Sequence, residues 1–141
     1  MRLIPKLIRE VMKNIVRKPA TLQYPKVATK VAKGFRGKLE WIADKCIGCG
    51  LCAMDCPSGA IELIPINVST TEKPEYRRLP VFHYYRCIFC YQCVESCPTK
   101  AILPSTVYDL SSYDKENLIR KPSDEEKSII LKKFKKGGGK K

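Results

Sequence analysis

Histidine and tryptophan are nearly missing from this chain: His83 and Trp41 are the only ones in 141 residues. No nucleophile–base pair is evident, and neither a phosphate-binding Walker loop nor a dinucleotide-binding fingerprint is present. Catalytic chemistry of the chain's own is therefore not expected. Long apolar runs are missing too. No stretch approaches the roughly 18–20 residues that span a bilayer, and Arg2, Lys6, Arg9 and Lys13 break up the N-terminus where a secretory leader would need an unbroken apolar core. A reducing, cytoplasmic setting is the expectation. Cysteine is absent from residues 1–45 and 98–141, and acidic residues are scarce at the N-terminal end.

What is present is unevenly distributed. The net formal charge of +13 resolves into +10 over residues 1–38, −1 over 39–104 and +4 over 105–141. These boundaries define an expected organisation: a basic N-terminal arm (1–38), a cysteine-bearing body (39–104) and a C-terminal extension (105–141). Basic arms call for an anionic partner. They lack the interleaved aromatics that stack on bases, so nucleic acid is not the expected one.

All eight cysteines fall in KCIGCGLCAMDCP (residues 45–57) and RCIFCYQCVESCP (residues 86–98). A shift of 41 residues carries Cys46, Cys49, Cys52, Cys56 and Pro57 onto Cys87, Cys90, Cys93, Cys97 and Pro98, with Ile47 on Ile88 and Ala60-Ile61 on Ala101-Ile102. One short unit has been duplicated, which implies a pseudo-twofold body.

The spacing C-x-x-C-x-x-C-x-x-x-C-P is that of thiolates around iron–sulfur clusters. Three thiolates three residues apart wrap a loop around three corners of a cubane. The fourth follows a turn of helix, points away, and reaches the other cluster. Cluster one is thus assigned to Cys46, Cys49, Cys52 and Cys97, and cluster two to Cys87, Cys90, Cys93 and Cys56. Both are expected to be 4Fe–4S. Structural zinc prefers separated cysteine pairs, and a C-x-x-C-x-x-C triplet suits tetrahedral closure poorly. A disulfide framework does not suit a reducing compartment. Gly48 and Gly50 can take the left-handed backbone such a loop needs.

The flanks read as short strands: Leu39–Ile42 and Val81–Tyr85 before the motifs, Ala60–Ile64 and Ala101–Leu103 after them. The fold class is α+β, a bacterial-type two-cluster ferredoxin body. Ile47, Ile61, Ile88, Val94 and Ile102 would shield the clusters. The polar run Asn67–Leu79, which contains Pro74, reads as a loop. His83 reads as a strand residue rather than a ligand, and Tyr84, Tyr85, Phe89 and Tyr91 as packing rather than an electron path. Residues 2–18 place Leu3, Ile4, Leu7, Ile8, Val11, Met12, Ile15 and Val16 on one helical face and basic residues on the other, a pattern suited to a membrane surface or a docked partner. Ser123-Asp124-Glu125-Glu126 opens a second helix running through Phe134, and GGGKK closes the chain as a flexible basic tail.

Taken together, GFRGKLEW (Gly34–Trp41), the two cysteine motifs, KPATLQYP (Lys18–Pro25) and SSYDKENL (Ser111–Leu118) resemble the two-cluster, ferredoxin-like subunit of respiratory complex I. The chain is similar also to the equivalent subunit of archaeal membrane-bound hydrogenases and sulfane reductases. The resemblance covers roughly residues 1–120. Tyr91 stands where that group often carries glycine, and the residues after Lys121 have no counterpart there. The resemblance implies an electron-transfer subunit, peripheral on the cytoplasmic face of the cell membrane. It would relay single electrons to a neighbouring iron–sulfur small subunit, beside membrane-embedded subunits, with reduced ferredoxin as donor. A free soluble ferredoxin would share the cysteines but needs neither the amphipathic helix nor the basic arms.

Overall fold

A computed structural model describes residues 3–70 and 73–137. Arg2 and the last four residues of the tail, on which two of the expectations above fall, lie outside that range. The chain divides between Ala32 and Lys33 into two units. In the first, α1 (Leu3–Val16) is a helix whose Leu7, Ile8, Val11, Met12, Ile15 and Val16 are all exposed. Its Glu10–Lys13 ion pair (3.1 Å) is exposed at both ends and contributes little to stability. No helix among the described residues is long and apolar enough to cross a membrane.

The second unit holds the duplicated body. Its elements are β1 (Leu39–Trp41), α2 (Leu51–Met54), β2 (Ile61–Thr70), β3 (Lys73–His83), α3 (Gln92–Glu95), β4 (Ile102–Pro104), β5 (Ile119–Arg120) and α4 (Asp124–Gly137). β1 pairs antiparallel with β4, while β2, β3 and β5 form a second antiparallel sheet in that order. The registers carry the duplication: Trp41 faces Ile102 and Phe82 faces Ile61, the same pair shifted by 41 and exchanged. Each hairpin therefore takes one strand from each repeat. Neither repeat can complete its sheet alone, and the core residues Leu39, Trp41, Ile61, Phe82, Ala101 and Ile102 come from both.

One expectation needs correction. The run Asn67–Leu79 is not a loop. Apart from residues 71 and 72, it is ladder, with Ile61 to Thr70 paired against Lys73 to Phe82. Polarity misled because this outer half of the hairpin carries few apolar residues, yet its backbone groups are satisfied by the ladder. The prolines are tolerated for a related reason. Pro65 lies on the edge strand, and Pro74 and Pro80 lie where β3 lacks β5, which pairs only with Phe82 and His83. Ile88 lines its cavity but is 64% exposed, whereas Ile61 and Ile102 are buried.

α4 closes the body. Ser123 and Glu126 form a reciprocal capping box: Glu126 N–H donates to Ser123 Oγ (3.3 Å), and Ser123 N–H donates to the Glu126 carboxylate (2.8 Å). Glu126 also meets Arg120 of β5 at 2.5 Å. The helix lies against β2 and the 3-10 turn Ala43–Lys45 that leads into Cys46. Ile130 is fully buried, Phe134 lies under the Arg77 guanidinium (4.9 Å), and Lys133 donates to the Asp44 carbonyl.

Candidate iron–sulfur centres

Each cysteine motif begins as a loop and ends as a single helical turn. Left-handed backbone makes the loop possible, and it recurs at the 41-residue offset: Gly48 and Phe89 (φ 65° and 52°), Gly50 and Tyr91 (81° and 68°), Gly59 and Lys100 (58° and 48°). Glycine takes this conformation freely, whereas a side chain there costs about 1–2 kcal/mol. The second repeat thus accepts strain that the first avoids. At Tyr91 the ring is buried, its hydroxyl donates to the Gly37 carbonyl, and the Arg36 guanidinium lies 5.8 Å from the ring centroid.

The loops turn backbone N–H groups toward sulfur in both halves. Gly48 N–H donates to Cys46 Sγ and Phe89 N–H to Cys87 Sγ, each at 3.4 Å. Ala60 N–H donates to Cys56 Sγ (3.3 Å) and Ala101 N–H to Cys97 Sγ (3.2 Å), with the Ser58 and Thr99 hydroxyls 3.6 and 3.7 Å from the same sulfurs.

The eight thiols gather in two groups of four. Cys46, Cys49, Cys52 and Cys97 line one cavity, and Cys56, Cys87, Cys90 and Cys93 line another. The grouping crosses the repeats, because α2 and α3 each carry the chain out of its own loop before the fourth cysteine. Among the described residues, no group of three or more His, Cys, Asp or Glu side chains is placed to hold a metal ion. Thiols spread around a cavity, with peptide N–H groups aimed at them, suit a sulfide-bridged cluster rather than a single zinc.

Burial raises the Cys52 thiol to about 12, with further contributions from Cys46 and Cys49; burial, then Cys87 and Cys52, does the same to Cys93. Cys87 is also raised, by burial. Cys56 and Cys97, the two that cross over, are lowered. Burial alone would raise them, but the Ser58 hydroxyl and the Ala60 N–H at one, and the Ala101 N–H and Thr99 hydroxyl at the other, outweigh it. Binding a cluster would require these thiols to lose their protons, with the charge balanced by iron.

Residues 45–101 match the 4Fe-4S dicluster domain. The chain is 32% identical over 115 residues to NADH-quinone oxidoreductase subunit I 2 of Geobacter metallireducens, covering 77% of this chain and 84% of that one. The chain belongs to the NADH-quinone oxidoreductase subunit I family. NAD(P)H-quinone oxidoreductase subunit I of Gloeobacter violaceus is 34% identical over 110 residues, and there the match covers 77% of this chain but only about half (51%) of the relative. Among solved structures, a chain of the archaeal membrane-bound sulfane sulfur reductase aligns with a TM-score of 0.53 at 32% identity, over 77% of this chain and 56% of that one. As a dicluster member of the subunit I family, the chain carries two 4Fe–4S clusters.

Within this subunit I framework, several side chains beside the cavities make contacts that sequence reading did not foresee. His83 ends β3, places Nε2 3.1 Å from the Glu62 carboxylate, and lines the Cys56/Cys87/Cys90/Cys93 cavity. Tyr84 is buried and donates to the Leu39 carbonyl (2.7 Å). Arg36 donates to the Cys90 carbonyl (3.0 Å), and the Arg77 Cβ closely approaches Gly48. A signal for the arginines existed, because the 41-residue offset also carries Phe35-Arg36 onto Tyr76-Arg77. Gly37 is the tightest point. A Cβ there would lie 2.5 Å from the backbone oxygens of both Ser105 and Val107, which bracket Lys38 through Ser105 N–H to Lys38 O and Lys38 N–H to Val107 O. Gly37→Ala is expected to cost about 3 kcal/mol and to weaken cluster two, whose loop hangs on Arg36 and Tyr91. Thermal melting and the cluster-two electron paramagnetic resonance (EPR) signal measure both effects.

Proposed function

We propose that this chain is the two-cluster electron relay of a membrane-bound, complex I-related oxidoreductase. It passes single electrons between cluster one, held by Cys46, Cys49, Cys52 and Cys97, and cluster two, held by Cys87, Cys90, Cys93 and Cys56. The observation that carries this reading is the pair of cysteine-lined cavities built from one shared core. The clusters supply one-electron chemistry. The protein's part is to position them, exclude water with Leu39, Trp41, Phe82 and Ile102, and direct N–H groups at their sulfurs.

The relay's partners follow from its surfaces. Residues 2–18 lie along the membrane or a membrane-embedded subunit on the cytoplasmic face. Supporting this are the six exposed apolar side chains of α1 and the basic residues interleaved with them. A neighbouring iron–sulfur subunit takes the electron onward, as assembly in multi-subunit complexes requires. Reduced ferredoxin, as an acidic donor, suits a chain of net charge +13, whose attraction for it would weaken with salt. Catalysis belongs to the partner subunits.

The test is purification of the tagged chain from its own host, from membranes solubilised gently without oxygen. It is expected to arrive with a second iron–sulfur subunit and membrane-embedded subunits, in a preparation that oxidises reduced ferredoxin. Recovery of the chain alone from the soluble fraction would overturn the membrane assignment and leave a free ferredoxin.

A further inference from the structure

The duplication makes the molecule its own control, since equivalent positions around the two cavities can be compared directly. Most are alike: Ala60 and Ala101, Ile61 and Ile102, Ser58 and Thr99, Ile88 and Ile47. Position 41 and its counterpart 82 are not. Trp41 lines the cavity of Cys46, Cys49, Cys52 and Cys97, and Phe82 lines the cavity of Cys56, Cys87, Cys90 and Cys93. The two rings occupy the same register against Ile102 and Ile61 and are similarly buried, at 7% and 2% exposure. They differ chemically in one respect that matters here: indole carries an N–H and benzene does not.

That N–H is buried and meets no hydrogen-bond partner among the described residues. An unpaired buried donor costs about 1–3 kcal/mol, and native proteins rarely keep one. The ring borders a cavity walled by four sulfurs, and sulfur is the acceptor a cluster offers there. We infer that Trp41 donates an N–H···S hydrogen bond to cluster one and thereby raises its reduction potential, a donor that Phe82 does not offer at the equivalent position beside cluster two. The inference rests on the cluster assignment proposed above. Reduction adds negative charge to the cluster, an N–H pointing at sulfur becomes more favourable, and the potential rises. Indole is a donor only and does not titrate near neutrality, so the effect is independent of pH.

His83 lines the other cavity, with its Nδ1 buried without a partner among the described residues and its Nε2 3.1 Å from the Glu62 carboxylate. Trp41 lines the first cavity alone, and is a positioning and tuning residue for cluster one.

Because Trp41 is the only tryptophan, biosynthetic replacement by benzothienylalanine exchanges that single N–H for sulfur while keeping the ring's shape. The full-length, cluster-loaded chain is titrated potentiometrically and followed by EPR. Cys97→Ala identifies which signal belongs to cluster one. The expected result is a downward shift of cluster one alone, by about a tenfold change in its oxidised-to-reduced ratio at fixed potential, or about 59 mV for one electron. Trp41→Phe should give the same shift, and if it fails to assemble, the isosteric analogue still decides. An unmoved cluster-one potential, or an equal shift of both clusters, overturns the inference and leaves the cluster assignment standing. A wild-type chain without two one-electron signals overturns the assignment as well.

Discussion

Cys97→Ala is expected to abolish cluster one, although Cys97 lies in the second motif, ten residues beyond Cys87. The cavity grouping dictates this: Cys97 stands with Cys46, Cys49 and Cys52, while the other three cysteines of its own motif stand with Cys56. Removing the thiolate deletes a ligand to one cluster and leaves the Ala101 N–H, now 3.2 Å from sulfur, without its acceptor, a further cost of about 1 kcal/mol. Iron per chain should fall by about half, with one of the two EPR signals lost. Cys56→Ala should do the converse and strike the cluster of the second motif. Loss from Cys97→Ala of the signal that Cys56→Ala was expected to remove would refute the crossed ligation.

Removing iron with a chelator under reducing conditions is expected to unfold most of the body built on residues 39–104. The elements next to the clusters cannot stand without them. α2 and α3 are one turn each, far below the roughly 12 residues an isolated helix needs in water, and β1 with β4 forms a two-stranded sheet of three residue pairs. The core side chains around Trp41 and Phe82 pack against cluster ligands on one side. Metal binding is therefore folding free energy. Reassembly requires the ligand thiols to lose their protons, and Cys52 and Cys93, raised to about 12 by burial, lose theirs least readily. Cluster assembly should consequently weaken as pH falls. The emission of the single tryptophan reports the collapse: it should move to the red on iron removal, together with loss of near-ultraviolet circular dichroism. Retention of both would show a body that folds independently of its metal.

Both expectations rest on features legible in the sequence, and the reason is locality. A cubane loop is closed by residues three apart, so the spacing of Cys46, Cys49 and Cys52 and of Cys87, Cys90 and Cys93 carries its geometry. The fourth cysteine, leaving on a helical turn before proline, carries the crossover. The 41-residue offset implied the pseudo-twofold arrangement, and the paired registers Trp41–Ile102 and Phe82–Ile61 display it. Gly48 and Gly50 announced left-handed turns, and both have them.

The remainder depended on partners remote in the chain. The outer hairpin looked like a loop because its stability lies in cross-strand hydrogen bonds, which leave no apolar trace in the sequence. Ile88, apolar and placed like Ile47, is nevertheless left exposed because no distant segment covers it. The place of α4 could not be read from its own residues. It depends on Asp44 receiving Lys133 across 89 positions of sequence. The constraint on Gly37 comes from the Ser105 and Val107 carbonyls, distant in sequence, that close on it. The sequence by itself determined the cysteines, their spacing and their duplication, because those are short-range chain geometry. Only the tertiary structure decided how the two halves differ, setting an indole ring at one cavity and a phenyl ring at the other, because that difference exists only where distant strands meet around the sulfurs.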